Sequence, residues 1–523
     1  MNDVSTPLGA FSRRRALALF GGTGLAATLS ACSVSTSDSN KGDSGAPPAP
    51  KNGIKIPNSG AKLPSGDVTV NWMDSGDLKA LFEEPLFKAY NAAHKNIKIS
   101  YDGTSWERIN EAIPLGVRNG SAPDVFAVPN NVPTQVAINE GWVAPIDDLV
   151  PDFAKWKAGF PANSFIPGVH IFDGKTYTWP ASSTKRYGQM LMYDPDYLNK
   201  AGVDMTQRMT WDEFRAACKK VTKDGSGKYY GLLTSGVQLG PLAMSFAQLA
   251  GLTTTGDGMN WKTGEYAFTA PELEAAIELL LAIKSDGSFF PDYQSLADAD
   301  SRARMPTRVA GMIFDGPWDI PKWPQTNPGY KFEIAYPPQP NDKKQNYSPY
   351  QELGANQVFI FAKSKYKEVA GDLFSYMGSH AGQVNMMIYS GGNLTSEQPA
   401  ALAEAQKSTK VTPHAQQAIK IADDLMRVAP MVQVRNADSA DVILALKPPK
   451  VGFPEVVQGI FTGQVKDVKK ALKSLQDQSD SALDAAISTA TKRGAKISRD
   501  DWKFPNWDPA KDYTEADYKA LGN

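Results

Sequence analysis

The chain has 523 residues, a formal net charge of −1, and a composition that is 42% hydrophobic, 21% charged and 10% aromatic. That balance is ordinary for a globular protein, and the length suffices for two domains or one large two-lobed one. Charge this close to neutral argues against a nucleic-acid surface or a polybasic membrane surface. Two cysteines, Cys32 and Cys218, are too few for a disulfide-stapled scaffold.

The first element in chain order is a targeting segment. Residues 11–31 read FSRRRALALFGGTGLAATLSA. Arg13, Arg14 and Arg15 precede an apolar stretch of about 15 residues, the length of a signal-peptide core and too short for a membrane span. SRRRAL resembles a twin-arginine export signal, although the Sec route also uses basic leaders. The stretch ends in Leu29-Ser30-Ala31-Cys32, which resembles a bacterial lipobox. Small residues fit a signal-peptidase cleft, and the thiol accepts a lipid that holds a protein at the outer face of the membrane. The sequence thus predicts a signal peptide over 1–31, lipidation of Cys32, and a tether over 32–66, where Ser, Gly, Pro and Asp cannot bury a core. That leaves Cys218 as a lone thiol, expected buried on a helix.

From Val68 the pattern changes. VTVNW (68–72) and IKISY (97–101) alternate as half-buried strands do. DVFAV (124–128), GMIFD (311–315) and QVFIFA (357–362) are short apolar runs suited to sheet cores. Thr210-Trp211-Asp212-Glu213 and Thr269-Ala270-Pro271-Glu272 read as capping boxes, each threonine capping a helix and each glutamate reaching back. In the second helix Leu273, Ala276, Ile277, Leu280 and Ile283 form one apolar stripe. A long helical pattern over 465–487 has Val468, Leu472, Leu475, Leu483 and Ile487 as its buried positions. The aromatic segment over 491–523 is expected to pack as a tail on a lobe. Strands alternating with helices give an α/β fold.

Catalytic signatures are missing. His94, His170, His380 and His414 are far apart and in no metal spacing. There is no nucleophile elbow and no dinucleotide fingerprint. KDGSGKYYG (223–231) fails as a phosphate loop because Tyr229 follows Lys228, and as a calcium loop because only Asp224 supplies a carboxylate in place. No cofactor, metal or catalytic residue is assigned. Aromatic residues beside turns stand out instead: Trp72, Trp179, Tyr187 and Trp318. Ligands of open α/β sheets bind beyond the strand carboxyl ends. Aromatic faces there can stack on sugar C–H faces while Asp, Asn and Gln bond the hydroxyls.

The chain resembles family 1 extracellular solute-binding proteins of bacterial ABC importers, the group that includes maltose-binding protein. The likeness runs in order from about residue 67 to about 490. It is carried by NGSAPDVFAVPNN (119–131), FDGKTYTWPASSTKRYGQMLMYDPDYLNKAG (172–202), TWDEFRAACKKVTKDGSGKYYGL (210–232), AGMIFDGPWDI (310–320), YKEVAGDLFSYMGSHAGQ (366–383) and FTGQVKDVKKALKSLQDQSDSALDAAI (461–487). The resemblance implies a two-lobed, type II periplasmic-binding-protein-like fold with hinge crossovers. Lobe 1 would hold 67–182 and 351–400, and lobe 2 would hold 183–350 and 401–490. The lobes would close on a solute in the cleft between them, and the closed form would dock on the permease. The implied ligand is a carbohydrate, an oligosaccharide in particular, and the implied state is a monomer. Carried over position by position, the ligand site would comprise Trp72, Asp74, Ser75, Asn130, Asn131, Tyr187, Ser235, Gln238, Asp315, Trp318 and Asn393. Asn393 departs from the family pattern, because no proline closely follows Gly392. Two other readings stay open: a lipid-anchored glycosidase or lyase using Asp74 and Asp315 as its carboxylates, and a receptor for a peptide or polyamine.

Overall fold

The computed structural model of the chain describes residues 53–161, 164–351 and 357–522. The predicted signal peptide, Cys32 and the first part of the tether lie outside the described residues.

Strand β1 (Val68–Ser75) pairs in parallel with β2 (Ile97–Thr104), in register from Val68 opposite Ile97 to Ser75 opposite Thr104. Strand β3 (Val125–Ala127) lies parallel on the other side of β1, and β4 (Val143–Ala144) follows. The chain then leaves this sheet and builds another from β5 (Met190–Tyr193), β6 (Tyr230–Leu233), β7 (Ala310–Asp315) and β8 (Glu333–Ala335). Strand β9 (Val358–Phe361) returns to the first sheet, antiparallel between β3 and β4. The strand orders are β2-β1-β3-β9-β4 and β8-β5-β7-β6. Two sheets sharing a chain that crosses between them make two α/β lobes. The central strands are short and continuously apolar because helices cover both faces; every residue of β7 is buried.

Each lobe has its own core. Trp72, Phe82, Tyr90, Trp179 and Phe374 are buried in the first. Phe214, Phe246, Leu280 and Phe461 are buried in the second. The predicted stripe Leu273, Ala276, Ile277, Leu280 and Ile283 is buried in full on the helix Pro271–Ser285. Cys218 is a free, buried thiol on the helix Trp211–Gly225.

Two local expectations separate. Thr210 caps its helix as expected: its hydroxyl accepts from the Glu213 N–H, and the Glu213 carboxylate accepts from the Thr210 N–H. Thr269 does not cap. Pro271 takes the first helical position, which makes Ala270 the cap residue, and the Thr269 hydroxyl donates to Gln476 at 2.9 Å. The long C-terminal helix runs Val468–Lys492 and buries Leu472, Leu475 and Leu483, while Val468 and Ile487 are half-buried. Beyond it, Trp502, Phe504, Trp507 and Tyr513 are buried against Trp261 and this helix.

Candidate functional site

The carboxyl ends of β1 and β7 face a common cleft. After β1 the chain turns through Gly76–Lys79 into the helix Ala80–Ala93. After β7 it turns through Gly316, Pro317 and Trp318 into the helix Asp319–Thr326. Between the two turns lies a cavity of about 330 Å³, lined by Asp77, Leu81 and Glu84 on one side and Trp318, Lys322 and Gln325 on the other. Trp318 is half-buried and also packs on the first lobe's core. One ion pair crosses the cleft, Lys322 Nζ to Asp77 Oδ1 at 3.5 Å. It is partly exposed, so its contribution to stability is small. A second chamber of about 360 Å³ is lined by Tyr187, Gly188, Gln189, Met244, Gln248 and Phe453, and Gly188 lies against the Trp318 ring.

The sequence-predicted residues fall in several different environments. Trp318 lines the cleft. Gln238 lies in the second lobe, where its amide donates to Asp298 at 2.8 Å and its carbonyl accepts from Gln189 at 3.3 Å. Asn130 and Asn131 are exposed at the end of β3, with Asn130 paired to Asn110 through two hydrogen bonds. Tyr187 contributes to the second chamber, but its hydroxyl is bonded to Ser245 at 2.6 Å and burial pushes the phenol up to about 12.

The remaining predicted residues sit deeper. Trp72 is 1% exposed and packs against Phe87 and Phe374. It belongs to the core of the first lobe, as does Trp179. Their place beside turns suggests ligand stacking, but their burial makes them core residues. Asp74 is fully buried, and both its oxygens accept from Lys79 Nζ at 2.8 Å. Glu83 is buried beside it. Burial raises both carboxyls, Asp74 against the pull of Lys79, and Glu83 further because the Asp74 charge adds to burial. Ser75 is buried, and its N–H donates to Asp74. Ser235 is buried with its hydroxyl unpartnered. Asn393 is buried and donates to the Ser390 carbonyl at 2.7 Å. Asp74 therefore stabilises the turn after β1, and a buried carboxylate committed to the half-buried Lys79 is not free to attack or protonate a substrate.

Asp315 is 5% exposed, and its Oδ1 accepts from the Gly316 N–H at 2.8 Å and from Trp318 Nε1 at 2.6 Å. Burial, and then the charge of Asp298, push its carboxyl up to about 7 against the opposing Arg302. Asp319 is also buried, and burial together with Asp315 raises it well above the ordinary range. Arg302 bridges to Asp298 at 3.2 Å and serves this acidic group as its cation. Asp77, Gln189, Asp298, Arg302, Asp319 and Lys322 were not singled out from the sequence. The adjacency of Asp319 to Trp318 is the one signal that could have found any of them. Among the described residues no three His, Cys, Asp or Glu side chains are grouped to hold a metal ion, and no helix is long and apolar enough to cross a membrane.

The profile of the bacterial extracellular solute-binding protein family matches residues 74–384, which run from the end of β1 through β9 and include both cleft turns. The chain belongs to this family. The family is one of binding proteins, so this solute-binding protein holds its solute rather than transforming it. An uncharacterized lipoprotein in the oleD 5′ region of Streptomyces antibioticus is 28% identical over 147 residues, which is 28% of this chain and 30% of that protein. The aligned stretch thus spans under a third of that relative's length. Among solved structures, the cyclic alpha-maltosyl-1,6-maltose binding protein of Arthrobacter globiformis shares the fold at a TM-score of 0.54 and 20% identity, covering 80% of this chain and 99% of that one. An ABC transporter solute-binding protein of Thermotoga lettingae bound with alpha-D-tagatose gives 0.58 and 20%, covering 80% and 100%. UgpB of Mycobacterium tuberculosis in complex with glycerophosphocholine gives 0.58 and 14%, covering 80% and 99%. These likenesses support the two-lobed architecture.

Proposed function

We propose that this solute-binding protein is the receptor of an ABC importer for a carbohydrate, an oligosaccharide rather than a single sugar. Its lipid on Cys32 would hold it at the outer face of the bacterial membrane. The solute enters between the lobes, the lobes close, and the closed monomer delivers the solute to the permease. The observation that carries this reading is Trp318, an indole presented to a cavity of about 330 Å³ between two lobes, with Asp77, Glu84, Lys322 and Gln325 around it. An aromatic face ringed by polar side chains is what a sugar requires, because its C–H face stacks and its hydroxyls need partners. Each such hydrogen bond is worth about 1 kcal/mol net, so affinity is built from many of them in a closed, desolvated cleft. The second chamber of about 360 Å³ offers room for further rings. Solved relatives named for a cyclic maltosyl-maltose and for the single sugar tagatose are consistent with a carbohydrate, the first also with an oligosaccharide.

The test is thermal unfolding of the full chain against maltooligosaccharides, raffinose, xylooligosaccharides, glycerophosphodiesters, peptides and polyamines. A ligand at about 100 times its dissociation constant stabilises by about 2.7 kcal/mol. A saccharide that raises the midpoint and is recovered uncleaved supports the proposal. A response to a glycerophosphodiester, a peptide or a polyamine alone overturns the carbohydrate and keeps the receptor.

A further inference from the structure

Trp318 is held at both ends of its indole. At the pyrrole end, Nε1–H donates to Asp315 Oδ1 at 2.6 Å, and the same oxygen accepts the Gly316 N–H at 2.8 Å. At the benzene end the ring lies over two glycines. A Cβ on Gly316 would sit 2.3 Å from Cη2, and a Cβ on Gly188 would sit 3.3 Å from the same atom. Only glycine at 316 lets the ring lie this close to the backbone. Asp315 is almost wholly buried. Beside it lies Asp319, whose buried carboxyl pairs with that of Asp315 and meets no N–H or hydroxyl donor among the described residues. A carboxyl this enclosed, with Oδ1 already accepting two hydrogen bonds, is poorly placed to meet a solute. It is well placed to set the rotation of the indole.

We infer that Asp315 is a positioning residue that fixes the plane of Trp318 in the cleft, and that it makes no contact with the solute itself. The inference rests on the reading of Trp318 as the stacking surface, and it deepens that reading by naming what holds the surface in place. A preoriented ring has less freedom to lose when the solute binds. Burial and then the charge of Asp298 raise the Asp315 carboxyl, with Arg302, the Gly316 N–H and a hydrogen bond with Asp319 opposing. The bond to Trp318 needs only an acceptor oxygen, which the charged and neutral carboxyl both supply.

The experiment uses the full chain labelled with 5-fluorotryptophan and ¹⁹F NMR, with the Trp318 resonance assigned by its loss in Trp318→Phe. Asp315→Ala is expected to shift and broaden that resonance while leaving those of the core tryptophans in place. Asp315→Asn, which keeps an acceptor oxygen, is expected to restore a narrow line. An unchanged Trp318 line in Asp315→Ala overturns the inference whatever the ligand proves to be, and broadening of all the lines reports a general loss of fold and overturns it as well. Maltotetraose and raffinose are the affinity probes. Asp315→Ala should weaken the probe that binds about tenfold or more, and should have no further effect in a Trp318→Phe background. An equal loss in both backgrounds means that Asp315 touches the solute and overturns the inference. If Asp315→Ala moves the Trp318 line but Trp318→Phe binds both probes as the wild type does, the positioning role stands and the reading of Trp318 as the stacking surface fails.

Discussion

The ends of β1 and β7 are built alike and used differently. Each strand delivers a buried aspartate to the cleft side of its sheet, with a second buried acid close by: Asp74 with Glu83 in the first lobe, and Asp315 with Asp319 in the second. In the first lobe a lysine five residues on bonds both oxygens of Asp74, and the pair closes the turn. In the second lobe the aspartate accepts from an indole instead, and the charge is balanced more loosely by Arg302, which also serves Asp298. The same element end therefore yields a staple in one lobe and a held aromatic surface in the other. The two tryptophans follow the same division. Trp72 is enclosed by Phe87 and Phe374, while Trp318 lines the cleft.

The sharpest way to break this comparison is to truncate the two tryptophans. Trp72→Ala should lose about 3–5 kcal/mol of stability, the cost of emptying a packed aromatic site, without changing solute affinity in the molecules that remain folded. Trp318→Ala should do the reverse, weakening solute binding about thirtyfold with little change in denaturation midpoint. Urea unfolding and calorimetric titration of the two variants decide it. Equal losses of stability would mean that Trp318 is a second core residue.

Next in size is the lysine of the first lobe. Lys79→Met leaves Asp74 and Glu83 buried without their cation, which costs about 3 kcal/mol or more at neutral pH. The loss should shrink as the pH falls, because protonation relieves the stranded charge. Adding Asp74→Asn to Lys79→Met should recover part of it. A Lys79→Met variant as stable as the wild type would show that the pair contributes nothing to the turn.

A smaller effect is expected at Gly316. A methyl group there would meet the Trp318 ring at 2.3 Å, so Gly316→Ala must push the indole out of its plane. Solute affinity should fall about tenfold while the unfolding midpoint moves little, because Trp318 is only half-buried. Unchanged affinity would mean that the ring orientation does not matter.

Much of this fold is legible in the sequence, and the reasons are local. The runs around β1 and β2 alternate apolar and polar, those around β3, β7 and β9 are apolar over strand lengths, and turns bound them, so they read as strands whichever lobe they join. The burial of Trp72 is legible too. Val70 and Trp72 lie two residues apart and so share one face of β1, and both are buried. A side chain in phase with a valine core points inward, whatever turn follows it. Pro271 carried a similar unused signal, since proline at the first helical position makes Ala270 rather than Thr269 the cap. The partners in the cleft were not legible, because they come from remote segments. Arg302 and Asp298 reach Asp315 and Asp319 only after the second lobe has folded, and Gly188 meets Trp318 across a large sequence separation.

Two buried sites should move stability with pH in opposite directions, the Asp315–Asp319 pair of the second lobe and His170 of the first, while Asp74 and Glu83 in the first lobe share the sign of Asp315. Asp315 is pushed up to about 7 and Asp319 well above the ordinary range, chiefly by burial. A carboxyl whose folded value lies above its unfolded value of about 3.9 favours the folded state fully at low pH, and that contribution is lost as the pH rises through about 7. His170, in the first lobe, is driven the other way. It is buried beside Phe165, accepts the Ile166 N–H on Nδ1 at 3.0 Å, and burial pushes it down to about 3. Its contribution is complete above about pH 6.5 and is lost as the pH falls towards 3. Between about pH 4 and pH 7 the Asp315–Asp319 pair should make the protein less stable with rising pH, by at most about 1.4 kcal/mol per pH unit for each proton released. Asp319→Asn should flatten that decline, and His170→Phe should leave it in place while lessening the loss on the acid side. Thermal midpoints of both variants across this range check the assignment. A decline in Asp319→Asn that parallels the wild type would mean that the second lobe's acids are already ionised, and that Arg302 balances them as fully as Lys79 balances Asp74.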